Sequence, residues 1–494
     1  MPNRPELGRR AFSGFIWAGA SYAAGKVLVF VATLVLARLL VPSQFGLVAF
    51  ALAVIAYLEY VTDLGLGAAL IYRSDAEDPR VSSTAFWIGV LGAIALIAVS
   101  WFAAPLLADV GPGHAVVPLF RALSLQFLFS ALGKAHEYRL RRTLQFRRLF
   151  WPELSGGLVK GSVSIALAVG GAGAWSLVIG QLAGTLSTSV ALWIVHPFRP
   201  RLAMSRRHVA PMMRFGLGIV AVGLLGQGAK NFDYVVIGAK LGAASLGVYY
   251  LAFRLPELVI VAGFNVANDV LFPFYARLRD GLVEDAGELR RGYLQTVRLG
   301  AMVAWPAALG MAALALPLVL ALYGERWRAS ADPLALIAVW AGLASLASMP
   351  GAVLKALGRS WLLFATGIMQ IAILFPAIWF SAPYGITAVA ASQVGEKTLS
   401  LALLGVVIGR VLGTPWHAAF TAGAPALAVS AATGGALYAL SAALPPAAAL
   451  AIGIPLGAAM YLVLLRRVVP EAFGLIARPL AGLRHRAPAQ AAKV

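Results

Sequence analysis

The apolar residues of this chain fall into about fourteen blocks, each roughly the twenty residues that an α-helix needs to cross a bilayer, and short loops separate them. In hydrocarbon every backbone N–H and C=O must be paired within its own segment or in a closed barrel, so blocks of this length fold as membrane-spanning helices. With 60% hydrophobic and 12% charged residues, the chain has too little polar surface to cover such blocks in water. The expected fold is an all-α integral membrane protein.

The predicted helices cover residues 13–39, 45–71, 84–107, 113–134, 153–171, 174–196, 211–238, 244–272, 294–322, 332–354, 360–381, 384–409, 417–443 and 445–465. The basic opening Met1–Arg10 and the small residues Ala18–Ser21 have the order of a signal peptide. The apolar block, however, runs on to Leu40, too long for an ordinary signal core, so it is read as a retained first span.

Lys and Arg set the orientation. If the amino terminus is cytoplasmic, inner loops carry Arg73 and Arg80, Lys134 with Arg139, Arg141, Arg142, Arg147 and Arg148, the group Arg199–Arg214, and the group Arg277–Arg298. Smaller inner groups are Lys355 with Arg359, and Arg410, whereas the outer loops hold little beyond Arg38, Lys240, Arg326 and Arg328. This imbalance places both termini in the cytoplasm and predicts an inner-membrane, multi-pass protein.

The formal net charge of +20 sits in those loops and serves orientation and anionic headgroups, not nucleic acid. With no cysteine and six scattered histidines, no metal centre or thiol chemistry is expected. There is no Walker A pattern, no Asp-x-Asp and no long outer loop, so neither an ATPase nor a membrane glycosyltransferase, ligase or polymerase is expected. No cofactor is expected.

Leu40-Val41-Pro42-Ser43-Gln44-Phe45-Gly46 has an echo in Leu241-Gly242-Ala243-Ala244-Ser245-Leu246-Gly247, about 200 residues later. Both stretches enter an even-numbered span, and an offset of six spans preserves orientation. The chain is therefore expected to form two parallel six-helix bundles, 1–205 and 206–412, around a central cavity, with an accessory helix pair and basic tail over 413–494.

The stretch Leu36-Ala37-Arg38-Leu39-Leu40-Val41-Pro42-Ser43-Gln44-Phe45-Gly46 and the following Asp63-Leu64-Gly65-Leu66-Gly67 resemble the Wzx-type polysaccharide flippases (PST family) of the MOP exporter superfamily, near the colanic acid exporter branch. The resemblance continues in Arg141-Arg142-Thr143-Leu144-Gln145-Phe146-Arg147-Arg148, in Gly173-Ala174-Trp175-Ser176-Leu177-Val178 and in Leu246–Arg254. It implies a transporter that moves an undecaprenyl-diphosphate-linked oligosaccharide between leaflets for capsule, exopolysaccharide or O-antigen assembly. Membrane lipids, a polysaccharide polymerase and other assembly proteins are the implied partners. A lipid II flippase and a multidrug cation antiporter of the same superfamily are the nearest alternatives, and a membrane enzyme acting on lipid-linked sugars is the alternative from another class.

A diphosphate cargo needs fixed positive charge inside the membrane, where ionisable side chains are costly and face a cavity or a partner. The deep cations Lys26, Arg121, Lys160, Lys230, Arg254 and Lys397 are the candidate substrate-binding residues. Deep acids are Glu59, Asp63, Asp233, Glu257, Asp269 and Glu396; of these Glu59, Asp63, Asp233 and Glu257 are candidate ion-coupling residues. Glu59 and Asp63 share a helix face and raise each other's proton affinity, although Asp63 also suits a helix break before Gly65. Arg254 and Glu257 form either a local pair or a ligand contact, Lys230 and Asp233 a structural pair one turn apart, and Arg121 and Lys160 also lie within snorkelling distance of a membrane face. Adjacent residues point about 100° apart on a helix, so Glu396 and Lys397 are not expected to neutralise each other across one face. Gly170-Gly171 is expected to be a hinge or a close helix contact, and the tryptophans interfacial anchors.

Overall fold

The computed structural model describes residues 25–63, 79–143, 145–201, 206–280 and 286–470, and among these there is no strand. Helical residues occur in all fourteen predicted blocks, while ten helices among the described residues are long and apolar enough to cross a membrane. The chain divides into two compact units, one running to Arg254 and including Ile371–Val389, the other formed by Leu255–Gln370 and the residues from Ala390 onward.

The first unit begins with α1 (25–39), α2 (Pro42–Asp63), α3 (Pro79–Ala103), α4 (Val116–Arg142), α5 (Phe146–Val169) and α6 (Ala174–Val195). A long helical stretch from Arg206 to Pro256 follows, broken at Gly242 into α7 (206–241) and α8 (243–256). Gly242 has φ +80°, a conformation that a side chain rarely tolerates, so glycine makes the break possible here. Ile371–Val389 joins this unit because the Phe375 ring stacks on Phe232 with centroids 3.9 Å apart, and Lys240 Nζ donates to the Trp379 carbonyl over 2.8 Å.

The echoed segments meet each other. Gly46 and Gly247 each lie four residues into their helices, α2 and α8. A methyl group on Gly46 would overlap the Ala243 carbonyl, and one on Gly247 would overlap the Pro42 carbonyl. The relation is reciprocal: each glycine admits the first-turn backbone of the other helix.

In the second unit the π-helical turn Glu257–Val261 leads into α9 (Ala262–Asp280), followed by α10 (Ala286–Ala313), α11 (Ala315–Leu322), α12 (Ala331–Ala356), α13 (Ser360–Ser381), α14 (Ile386–Leu412), α15 (Ala418–Ala443) and α16 (Pro446–Val468). Its core gathers Tyr293, Met302, Trp305, Val353, Val429 and Tyr461. α15 lies along α10, where Gly423 brings the backbone close to Ala301, and Tyr461 of α16 donates its hydroxyl to the Met302 carbonyl over 2.8 Å.

Three local expectations change. Arg139, Arg141 and Arg142, expected in a loop, extend α4 by its last two turns, with Arg141 Nε paired to Glu137 Oε1 at 2.8 Å one turn back. Gly170 and Gly171 end α5, Gly171 with φ +81°, so this pair caps the helix and does not bend it. Trp327, within the 3-10 turn Glu325–Ser330, is fully buried, a core residue where an interfacial anchor was expected.

Candidate functional site

α5 and α6 approach on small residues. A Cβ on Gly184 would sit 2.7 Å from Lys160 Cβ, and one on Gly180 would sit 2.9 Å from the Lys160 carbonyl oxygen. This close packing turns the Lys160 ammonium toward α6, where Gln181 Oε1 accepts its proton over 2.5 Å. The surrounding pocket is lined by Thr33 of α1, Phe45 of α2, Ser164 of α5 and Tyr250 and Arg254 of α8. The Arg254 guanidinium lies 4.3 Å over the Tyr250 ring centroid and hydrogen-bonds the Tyr250 hydroxyl. Two of the six predicted cations, Lys160 and Arg254, therefore line one pocket inside the first unit, with a free volume of about 40 Å³. Lys26 of α1 is half-buried.

Glu59 of α2 borders a larger cavity of about 410 Å³, lined also by Tyr60, Phe86, Ser130, Lys134 and Gln227. Ser130 Oγ donates to Glu59 Oε1 over 3.1 Å and Gln126 Nε2 to Glu59 Oε2 over 3.4 Å. Gln126 Oε1 in turn accepts from Gln181 Nε2 over 2.9 Å. The carboxylate and the ammonium group are thus joined through two amides, as Glu59–Gln126–Gln181–Lys160.

The remaining candidates take other positions. Arg121 Nε donates to the Trp101 carbonyl over 3.1 Å and lies over its ring, lining neither cavity. Lys230 is exposed. Asp233 is buried, accepting from the Tyr249 hydroxyl and the Tyr234 N–H, each over 2.9 Å. Glu257, half-buried, opens the π turn. The side chains of Asp63 and Asp269 lie outside the described residues.

Lys397 and Glu396 correct the expectation drawn from helix geometry. Lys397 Nζ lies 3.4 Å from Glu396 Oε2, both side chains being buried, and Ser400 Oγ donates to Glu396 Oε1 over 2.5 Å. The 100° between their Cα–Cβ directions is spanned because four methylenes let the ammonium fold back. Lys397→Met should therefore cost about 3–5 kcal/mol by leaving a buried carboxylate without its cation. The loss should be visible as a lower unfolding temperature of the purified protein, and Glu396→Gln in the same chain should restore most of it. Equal stability of Lys397→Met and the unsubstituted chain would contradict the pairing.

Charge-based reasoning missed Gln126, Ser130 and Gln181. The available signal was a primary amide in an otherwise apolar span, as in Leu125-Gln126-Phe127 and Gly180-Gln181-Leu182. Such a group in hydrocarbon needs a partner as surely as a charge does.

Residues 35–332 match the profile of a family described as "Polysaccharide biosynthesis protein". The teichuronic acid biosynthesis protein TuaB of Bacillus subtilis (strain 168) is 26% identical over 397 residues, 79% of this chain and 78% of that protein. The lipopolysaccharide biosynthesis protein WzxC of Escherichia coli (strain K12) is 26% identical over 379 residues, 75% of each chain. The succinoglycan biosynthesis transport protein ExoT of Rhizobium meliloti (strain 1021) is 28% identical over 355 residues, 70% of this chain and 69% of that protein. Among solved structures, the inward closed conformation of the lipid II flippase MurJ superposes with a TM-score of 0.78 at 15% identity, covering 92% of this chain and 99% of that one. An inward-facing MATE multidrug resistance transporter of the MOP superfamily superposes with a TM-score of 0.64 at 17% identity, covering 78% and 94%. These superpositions give the fold, that of the MOP transporters. The profile spans more than half of the sequence, and the chain belongs to the polysaccharide biosynthesis family that it describes.

Proposed function

We propose that this protein is a flippase that carries an undecaprenyl-diphosphate-linked oligosaccharide from the inner to the outer leaflet of the cytoplasmic membrane, for assembly of a surface polysaccharide. The observation that carries this reading is the pair of cations Lys160 and Arg254 lining one pocket inside a unit of membrane-spanning helices, in a chain whose relatives are named for teichuronic acid, lipopolysaccharide and succinoglycan biosynthesis. A diphosphate with attached sugars crossing bare hydrocarbon meets a prohibitive desolvation cost. Fixed cations offset it through charge-assisted hydrogen bonds to the phosphate oxygens, while the polyprenyl tail stays in lipid.

The pocket's 40 Å³ is close to the volume of one water, so the diphosphate reaches the cations as the pocket opens. No bond is made or broken: the two six-helix halves, 1–205 and 206–412, alternate access, 413–494 is accessory, and no catalytic residue is required. Glu59, with Asp63 one turn on, is the ion-coupling candidate, and a polymerase consumes the delivered repeat. Both termini and the Arg139–Arg148 segment face the cytoplasm.

Deleting the gene in its own cell tests the reading. Lipid-linked oligosaccharide should accumulate with its sugars accessible only from the cytoplasmic side, and surface polysaccharide should fall. Unchanged surface polysaccharide together with accumulated lipid II would support the peptidoglycan alternative instead. Orientation has its own test, simplified by the absence of native cysteine. A cysteine at exposed position 147 should react with a membrane-impermeant maleimide only in inside-out vesicles; labelling in intact spheroplasts would reverse the topology.

A further inference from the structure

The two ends of the chain Glu59–Gln126–Gln181–Lys160 fix the direction of both amides. A carboxylate only accepts and an ammonium only donates. Gln126 must therefore present its NH₂ to Glu59, which turns its oxygen to the NH₂ of Gln181, which turns its own oxygen to Lys160. Every link is then a donor facing an acceptor. With Glu59 neutral the order of donors persists, because Lys160 still only donates, but the carboxylate no longer polarises the two amides, so the Gln181 oxygen holds the Lys160 ammonium less strongly and that ammonium turns more readily to another acceptor.

We propose that Gln126 and Gln181 are positioning residues of the anion site, transmitting the charge state of Glu59 to Lys160 so that the site holds a diphosphate more tightly when Glu59 is neutral. The anion site itself rests on the function proposed above. Linkage makes the effect reciprocal: diphosphate at Lys160 favours a neutral Glu59, as a bound proton or a cation in the adjoining cavity would make it. The groups facing Glu59 there are Tyr60, Tyr138, Lys134, Ser130 and Gln227. Of these Ser130 alone donates to its carboxylate, besides Gln126.

The inference predicts non-additivity that a through-space effect of Glu59 would not give. The experiment uses the full chain in lipid nanodiscs with farnesyl diphosphate as the probe, and farnesyl monophosphate and farnesol as controls. The Kd is measured for the unsubstituted protein, Glu59→Gln, Gln126→Leu and the double variant, at constant pH and salt. Glu59→Gln should tighten binding about fivefold, at the low end of ordinary coupling strengths. In the Gln126→Leu background the same substitution should change Kd less than twofold, because the connection is cut. Gln126→Asn, which keeps the amide but shortens it, should restore part of the difference when compared with Gln126→Leu.

A fivefold tightening by Glu59→Gln in both backgrounds would mean that Glu59 acts through space, and would overturn the relay. So would weaker binding by Glu59→Gln. If the unsubstituted protein binds farnesyl diphosphate no better than farnesol, the anion site fails instead, an outcome distinct from a bound but uncoupled probe. Circular dichroism of each variant separates these results from loss of fold.

Discussion

Lys160→Glu should abolish polysaccharide export while membrane abundance stays near that of the unsubstituted chain. One charge-assisted hydrogen bond is worth about 1.5–3 kcal/mol, and reversal adds repulsion of the phosphate, so export should fall on the order of a hundredfold. Abundance is preserved because Gln181 beside it can turn its NH₂ toward the new carboxylate, leaving residue 160 with a partner. The cost of that turn falls on the Gln181–Gln126 link, a single neutral hydrogen bond. Arg254→Glu should act in the same direction, since its guanidinium lines the same pocket. Arg290→Glu, on an exposed face of α10, is the control and should be mild. Quantitative blots and surface polysaccharide measured on the same cells decide the matter. If export loss tracks abundance equally at all three positions, the cluster serves folding and not cargo.

The second large effect is expected at the glycine pair. Gly46→Ala and Gly247→Ala each place a methyl group on a backbone carbonyl of the facing helix, which no side-chain rotation can relieve. The helices must separate, at a cost of roughly 3 kcal/mol, the upper range for added methyl groups in a packed interior. Because both substitutions open the same contact, the double variant should cost far less than the sum of the singles. Ala244→Val, at an exposed position in the same first turn, should change little. Unfolding temperatures in detergent and export in cells provide the readouts. Strictly additive losses would show that the two glycines pack independently.

Much of this fold is legible in one sequence because the bilayer removes alternatives. Apolar blocks of spanning length have to become helices, and they did from Pro42–Asp63 through to Pro446–Val468. The echo between 40–46 and 241–247 was legible as a repeat, but its physical use was not. Only in three dimensions do Gly46 and Gly247 prove to be each other's contact. The cations illustrate the same boundary. Depth in a span identifies Lys160, Arg254 and Lys397 alike, yet the first two share a pocket and the third folds onto the carboxylate beside it. Side-chain length and the face of each neighbouring helix decide between these fates, and neither is written in hydropathy. The amides were the least visible. Gln126 and Gln181 sit on helices α4 and α6 with more than fifty residues between them, and only packing brings their side chains to 2.9 Å.

The measurement closest to the central claim is translocation by the purified protein. A fluorescent polyprenyl-diphosphate oligosaccharide is incorporated into both leaflets of liposomes that contain the full chain, and external dithionite reports the fraction that becomes accessible with time. The account predicts that unsubstituted protein brings the inner-leaflet pool to the outside within minutes and that Lys160→Glu liposomes retain it as protein-free liposomes do. Equal rates for the unsubstituted chain, the Lys160→Glu variant and protein-free liposomes would contradict it.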